Sequence, residues 1–359
     1  MRIVQLIDSL EAGGAERMAV NYANVLAEQI EFSGLAATRK EGALLDQINS
    51  NVSYLFLNKK KQLDFPALFK FRSFILKNKV THIHAHSTSF FFAFLLKLTL
   101  PSIKMIWHYH YGNSQMLSKK RILIFKIVMP FFYGVIAVSQ NLKLWIENNL
   151  KSKRVLYLPN FPIQTEDSEY TSQLLGMGGK RIVSLANLRE DKNHFLLLEV
   201  AQRLKISNPD WTFHLIGKDF NDAYSLHIKQ LIEKYNLKNN VFMYGSQQDI
   251  GNILNQSSIA ILTSKSEGLP VALLEYGLYK KPVVVTRVGE IPAIVQHGHN
   301  GFIVDTGKAD LFCQSLENLI QHEVLRVDFG KALYDTIKKD YTAESVILKY
   351  LNWLQITKK

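Results

Sequence analysis

Short β-rich runs alternate with longer helical stretches along this chain, and half-way through the alternation begins again. The first series reads "RIVQLI", "VTHIHAH", "IKMIWHYH" and "GVIAVS", and closes with "RVLYLPNFP". The second reads "RIVSLAN", "WTFHLIG", "VFMYG", "IAILTS", "KPVVVTR" and "GFIV". Such alternation demands parallel strands whose two faces are covered by helices. Two series imply two doubly wound α/β domains, and 359 residues exceed one ordinary core. The expected division is a first domain over 1–163, a second over 164–340, and a closing helix over 341–359 that packs back toward the first. Sheets of this kind bind ligands outside the carboxyl ends of their strands. The site is therefore expected in a cleft between two facing domains.

Composition narrows the class. An apolar fraction of 47% with 21% charged residues is that of a globular chain. Cys313 stands alone, which excludes a disulfide framework and a cysteine-based metal cluster and fits a reducing compartment. The opening "MRIVQLIDSL" is interrupted by Gln5 and Asp8, so it reads as a buried strand and not as a signal peptide. "FFFAFLLKLTLP" is broken by Lys97 and Pro101, and "ILIFKIVMPFFYGVIAV" by Lys126, Pro130 and Gly134. Neither offers the roughly 20 apolar residues of a membrane span. The second reads as a helix ending near Tyr133, followed by a strand over Val135 to Val138. The cytoplasm is the expected location.

The net charge of +12 is unevenly placed. Residues 1–165 hold 21 Lys/Arg against 9 Asp/Glu, while the rest holds 22 of each. Between Asp64 and Glu147 there is no acid, only eleven Lys/Arg among many Phe, Leu and Ile. A solvated basic surface, an anionic membrane surface and nucleic acid all fit such a run. Lysines beside aromatic clusters, as in "FPALFKFRSFILKNK" and "KKRILIFKIVMPFF", suit a lipid interface better than a phosphate groove. Peripheral contact with the inner face of an anionic membrane is the expectation.

Three loops carry chemistry. "DSLEAGGAER" follows the first strand, where Gly13 and Gly14 allow close backbone approach and a helix start offers free N–H groups to an anion. A plain tight turn explains it as well, and it lacks the G-x-G-x-x-G spacing of a dinucleotide loop. "SLANLREDKNH" puts Arg189 and Lys192 after the first strand of the second series, where two cations could neutralise a diphosphate. "TSKSEGLPVALLE" places Glu267 before the turn Gly268-Leu269-Pro270 and Glu275 in the second turn of the helix that follows. Glu275 could hold a vicinal diol and Glu267 the hydroxyls of a sugar. Taken singly, a helix-start charge and a surface acid account for them equally well. "THIHAHS" sets His82, His84 and His86 on one face of a strand, a spacing poorly suited to surrounding a metal.

Two acids with seven residues between them, the first followed by Gly-Leu-Pro, resemble the signature of the GT4-type glycosyltransferases. The resemblance extends over nearly the whole chain, through "GGAER", "AVSQ", "LPN" with Asn160, "LREDKN" and "TRVGEIPAIVQHGHNGFIV". It implies the GT-B fold, a nucleotide-sugar donor such as a UDP- or GDP-sugar, retained anomeric configuration, and no bound metal or other cofactor. Carried over, Glu267 contacts the transferred sugar and Glu275 the donor ribose. Arg189 and Lys192 hold the diphosphate, with backbone at Gly13, Gly14, Gly268 and Leu269. The family histidine near the donor sugar falls in "WHYHYG", with His110 as the choice and His108 as runner-up. His86 and His108 are the acceptor-side candidates. Ala186-Asn187 stands where the family often has Gly-Arg, and Ala293 where many relatives have Glu.

The expected function is transfer of a sugar, with retention, to a hydroxyl of a glycan or lipid-linked acceptor in surface-polysaccharide assembly. A sugar-nucleotide epimerase of the same architecture is the nearest alternative. A basic nucleic-acid-binding protein is the more distant one, and no nucleic-acid motif is present, so none is expected as a partner. Tyr244, Ser246 and Gln247 are expected near the base.

Overall fold

The computed structural model describes residues 1–110, 118–150, 152–163 and 172–356. The chain forms two compact units, Met1–Phe161 with Ala343–Lys359, and Pro162–Thr342.

The first unit runs β1 (Arg2–Ser9), α1 (Gly14–Ala27), β2 (Phe32–Lys40), β3 (Ser53–Phe56), α2 (Phe65–Lys77), β4 (His82–His86), α3 (Phe90–Thr99), β5 (Lys104–Tyr109), α4 (Lys119–Val128), β6 (Gly134–Ala137), α5 (Gln140–Leu150) and β7 (Val155–Tyr157). The strands form one parallel sheet in the order β3-β2-β1-β4-β5-β6-β7. β2 and β3 were not anticipated. β2 reads "FSGLAATRK", a mixture of small, polar and apolar residues with no alternation, and it becomes a strand because it pairs with β1 on one side and β3 on the other.

The helices divide between the two faces. Phe71 and Ile75 of α2 pack with Phe92 and Leu96 of α3 under Ile83 and Ala85 of β4. Phe125 and Val128 of α4 pack with Trp107 of β5 and with Leu142 and Ile146 of α5. α4 ends at Val128, before the expected Tyr133. Pro130 has no N–H to donate, and a single 3₁₀ turn over Met129–Phe131 takes its place.

The opposite face of the sheet carries the histidines, covered by Tyr22 of α1 and Tyr350 of the C-terminal helix Ala343–Gln355. The tyrosine rings meet edge to face at 5.4 Å. The Arg154 guanidinium lies 3.9 Å from the Tyr133 ring and bonds the Trp353 and Ile356 carbonyls, so the closing helix is tied to the β6–β7 edge. A side chain at Gly134 would strike the Trp353 ring at 2.6 Å, which accounts for glycine there.

The second unit runs β8 (Arg181–Leu185), α6 (His194–Ser207), β9 (Thr212–Ile216), α7 (Ala223–Lys234), β10 (Val241–Gly245), α8 (Ile250–Asn255), β11 (Ile259–Leu262), α9 (Val271–Leu278), β12 (Val283–Thr286), α10 (Ile291–Ile294), β13 (Phe302–Val304), α11 (Ala309–Gln321) and α12 (Glu323–Asp340). Its parallel sheet has the order β10-β9-β8-β11-β12-β13. Valine and isoleucine runs such as Val283–Val285 are wholly buried, as strands sandwiched between helices must be. The order of strands reverses between β8 and β11, and that switch point positions the site. Among the described residues no helix is long and apolar enough to cross a membrane.

Candidate functional site

The loops leaving β8 and β11 meet at the switch point through backbone first. Lys265 N–H donates to the Asp191 carbonyl at 2.7 Å, and Thr263 Oγ1 donates to the Lys192 carbonyl at 2.9 Å. These bonds bring Lys192 Nζ to 2.6 Å from Glu267 Oε1, and Ser264 Oγ donates to the same oxygen at 2.6 Å. The Glu267 side chain is 8% exposed and Lys192 23%, so the pair is only slightly wet and correspondingly strong. Arg189 takes another direction, with its exposed guanidinium 4.8 Å from the Phe220 ring.

The turn behind Glu267 is held by residues that sequence reasoning did not single out. Glu290 N–H donates to the Gly268 carbonyl at 2.9 Å, and Thr286 Oγ1 donates to the Ser264 carbonyl at 2.7 Å. Gly289 has φ of +55°, and a Cβ there would run into the Glu267 and Gly268 carbonyls. Its signal in the sequence was the glycine of "RVGEIP". Leu269 and Pro270 are buried as α9 begins, and no side chain caps that helix start.

Glu275 lies in the second turn of α9 and is buried, so it is not a surface acid. Its neighbour Tyr276 accepts from Leu185 N–H at 2.7 Å and donates to the Ile261 carbonyl at 3.3 Å, joining β8 to β11 at the switch. Burial, then Glu275 and Glu267, push the Tyr276 phenol far up, so it stays a neutral bridge.

Beside this site a cavity of about 260 Å³ opens at the carboxyl ends of β8, β9 and β10, lined by Ala186, Leu188, Gly217, Asp219, Met243 and Gly245. Asn187 Oδ1 accepts from Lys218 N–H at 2.7 Å across its rim. Tyr244 turns elsewhere, bonding His214 Nδ1 at 3.1 Å and Leu175 N–H at 2.9 Å. Gln247 holds the Tyr244 carbonyl and Ser172.

In the first unit, Gly13 and Gly14 begin α1 in extended and helical backbone, with no side-chain cap. Asp8, at the end of β1, accepts from Thr38 Oγ1 at 2.6 Å and Thr88 Oγ1 at 2.5 Å, gathering the ends of β1, β2 and β4. The histidines form two pairs across β4 and β5. His84 Nε2 lies 3.1 Å from His108 Nδ1, and His86 Nδ1 lies 3.0 Å from His110 Nε2. His84, His86 and His108 are wholly buried, whereas His110, just past the strand, is half-buried. Burial holds the first three well below the usual histidine range and His110 at about 3. Nitrogens of His84, His86 and His108 lie within 4.8 Å of one another, close enough to share a cation. Two of them, however, already bond each other, under two tyrosines that supply no negative charge.

Glycosyl transferases group 1 matches this chain over residues 166–336, and glycosyltransferase family 4 over residues 12–161. The chain belongs to the GT4-type glycosyltransferases. Among relatives of this glycosyltransferase, the amylovoran biosynthesis glycosyltransferase AmsD of Erwinia amylovora is 24% identical, covering 97% of the chain and 98% of the relative. The UDP-Gal:alpha-D-GlcNAc-diphosphoundecaprenol alpha-1,3-galactosyltransferase of Escherichia coli is 22% identical over 90% of the chain and 88% of its own length. Anabaena HepE, solved with UDP and glucose, superposes with a TM-score of 0.84 at 18% identity, covering 99% and 100%. Two parallel-sheet Rossmann-like units of this kind are the GT-B architecture.

Proposed function

We propose that this glycosyltransferase moves a sugar from a UDP-sugar to a hydroxyl of a lipid-linked oligosaccharide, with retained configuration and no metal. The observation that carries the reading is the Lys192–Glu267 pair at the β8/β11 switch. A departing nucleoside diphosphate gains negative charge, and Lys192, with Arg189 nearby in sequence, supplies positive charge already in place. Glu267 then faces the sugar, Glu275 the ribose, and backbone at Gly13, Gly14, Gly268 and Leu269 the phosphates. The cavity beside Gly217 and Gly245 takes the base. Within the first unit, His110 is the histidine assigned to the sugar, with His86 and His108 behind it. UDP in HepE and the diphosphoundecaprenol acceptor of the E. coli relative support the choice of donor and acceptor.

Saturating UDP is expected to raise the melting temperature without added metal, as about 2.7 kcal/mol follows at a hundredfold excess over Kd. Lys192→Ala should lose most of that rise. No shift from UDP, or an equal one from every nucleotide, would remove the donor assignment.

The same reading places the first unit at an anionic membrane from the cytoplasmic side. Phe65 and Phe69 of α2 and Leu123 and Ile127 of α4 stand 58–64% exposed on the α2–α5 layer. Lys119, Lys120, Arg121 and Lys126 share α4 with the last two. Vesicles containing anionic lipid should bind the protein at low salt, and Leu123→Ser with Ile127→Ser should weaken binding about tenfold. Equal binding to neutral vesicles, or none to anionic ones, would defeat this placement.

A further inference from the structure

The His86–His110 bond is the outer half of a longer chain that begins on β1. His86 Nε2 lies 2.9 Å from Gln5 Oε1, and both residues are wholly buried. Gln5 is on β1, His86 on β4 and His110 just beyond β5, so the chain crosses three neighbouring strands toward their carboxyl ends. The direction of the hydrogens follows from the groups. An amide oxygen only accepts, so the hydrogen between Gln5 and His86 belongs to His86 Nε2. A neutral imidazole carries one such hydrogen, so His86 Nδ1 is an acceptor. Its partner, His110 Nε2, must then be the donor. That leaves His110 Nδ1 as a bare acceptor. The ring is also fixed in orientation, stacked on His108 at 4.0 Å and on His86 at 5.3 Å between centroids.

We propose that Gln5 and His86 are positioning residues that set the tautomer and orientation of His110, so that Nδ1 is the nitrogen offered to a sugar hydroxyl. This inference rests on the reading of His110 as a participant in transfer. It assigns a task to Gln5, the one polar residue of the buried stretch Ile3–Ile7 in β1. Among the described residues nothing bonds Gln5 Nε2 in its buried place, so an apolar residue of similar shape should be tolerated.

The test compares Gln5→Met, Gln5→Glu and His110→Ala by nitrogen-15 histidine spectra and by steady-state kinetics. The wild-type protein should show His110 as the Nε2–H tautomer. Gln5→Met should give a mixture of tautomers and lower kcat at least about tenfold, with KM for the donor little changed. Gln5→Glu keeps an acceptor toward His86 and should restore the single tautomer. A folded Gln5→Met protein with unchanged His110 spectrum and kcat would overturn the relay, as would a wild-type His110 found as Nδ1–H. If His110→Ala retains full turnover while the Gln5→Met spectrum changes as described, the positioning geometry stands and the role of His110 in transfer falls.

Discussion

Glu267→Gln is expected to lower turnover about a thousandfold while UDP affinity changes no more than a few-fold. The substitution keeps the shape of the side chain and an acceptor for Ser264 Oγ, which now lies 2.6 Å from Glu267 Oε1. It removes the charge that Lys192 meets at 2.6 Å in an environment with little water. A fixed carboxylate stabilises positive character on a sugar ring only as the donor bond breaks, so its loss belongs in kcat and not in ground-state binding. Removing one partner of a nearly buried pair also destabilises folding. Melting curves with and without UDP separate that loss from the chemical one. A Glu267→Gln protein that binds UDP normally and turns over within tenfold of wild type would take Glu267 out of the chemistry. Glu275→Gln should behave oppositely, weakening donor binding more than it slows the step.

How much of this was readable beforehand varies with the range of the interactions. That Lys192 and Glu267 stand at one end of the second sheet was legible because each lies in the loop just after a strongly apolar strand, and parallel strands bring such loops to one end. Arg189 shares the Lys192 loop, yet its side chain goes to Phe220, a choice of rotamer that spacing does not encode. β2 and β3 are not legible because β2 takes its strand character from pairing with β1 and β3 from pairing with β2, and "FSGLAATRK" has no period of its own. Alternation did put His84 and His86 on one face. The partners His108 and His110 required the β4–β5 register, in which His86 lies opposite His108. Gly289, Tyr276, Asp8 and Gln5 act on segments far away in sequence. Only a structure reveals those tasks.

Acidification below pH 6.5 is expected to unfold this protein early, and the first unit before the second. Seven buried or half-buried histidines have lowered affinity for protons. His82, His194 and His214 are brought to about 4 and His110 to about 3, while His84, His86 and His108 lie well below the usual value, with burial the largest cause throughout. The folded state keeps these rings neutral, whereas the unfolded chain takes up protons once the pH drops below about 6.5. The unfolded state therefore binds more protons, and stability rises with pH through this window. The contribution is fully present above pH 6.5 and is lost progressively down to the folded values of 3 to 4. Each fully buried histidine can cost up to about 1.4 kcal/mol per pH unit in that range. Carboxylates with lowered values, such as Asp249 held by hydrogen bonds from Ser172 and Asn252 that outweigh its desolvation, act only as pH falls below about 4, so the window from 6.5 to 4.5 isolates the imidazoles. Five of the seven lie in the first unit, and the rings facing His84 from the covering helices are Tyr22 and Tyr350, neither of which can balance a new charge. Denaturant titrations at pH 7.5, 6.5 and 5.5, with hydrogen exchange to tell the units apart, should show β4 and β5 losing protection first. Stability that stays level across this range, or fails first in β8 to β13, would mean that the histidine layer opens to water before it titrates.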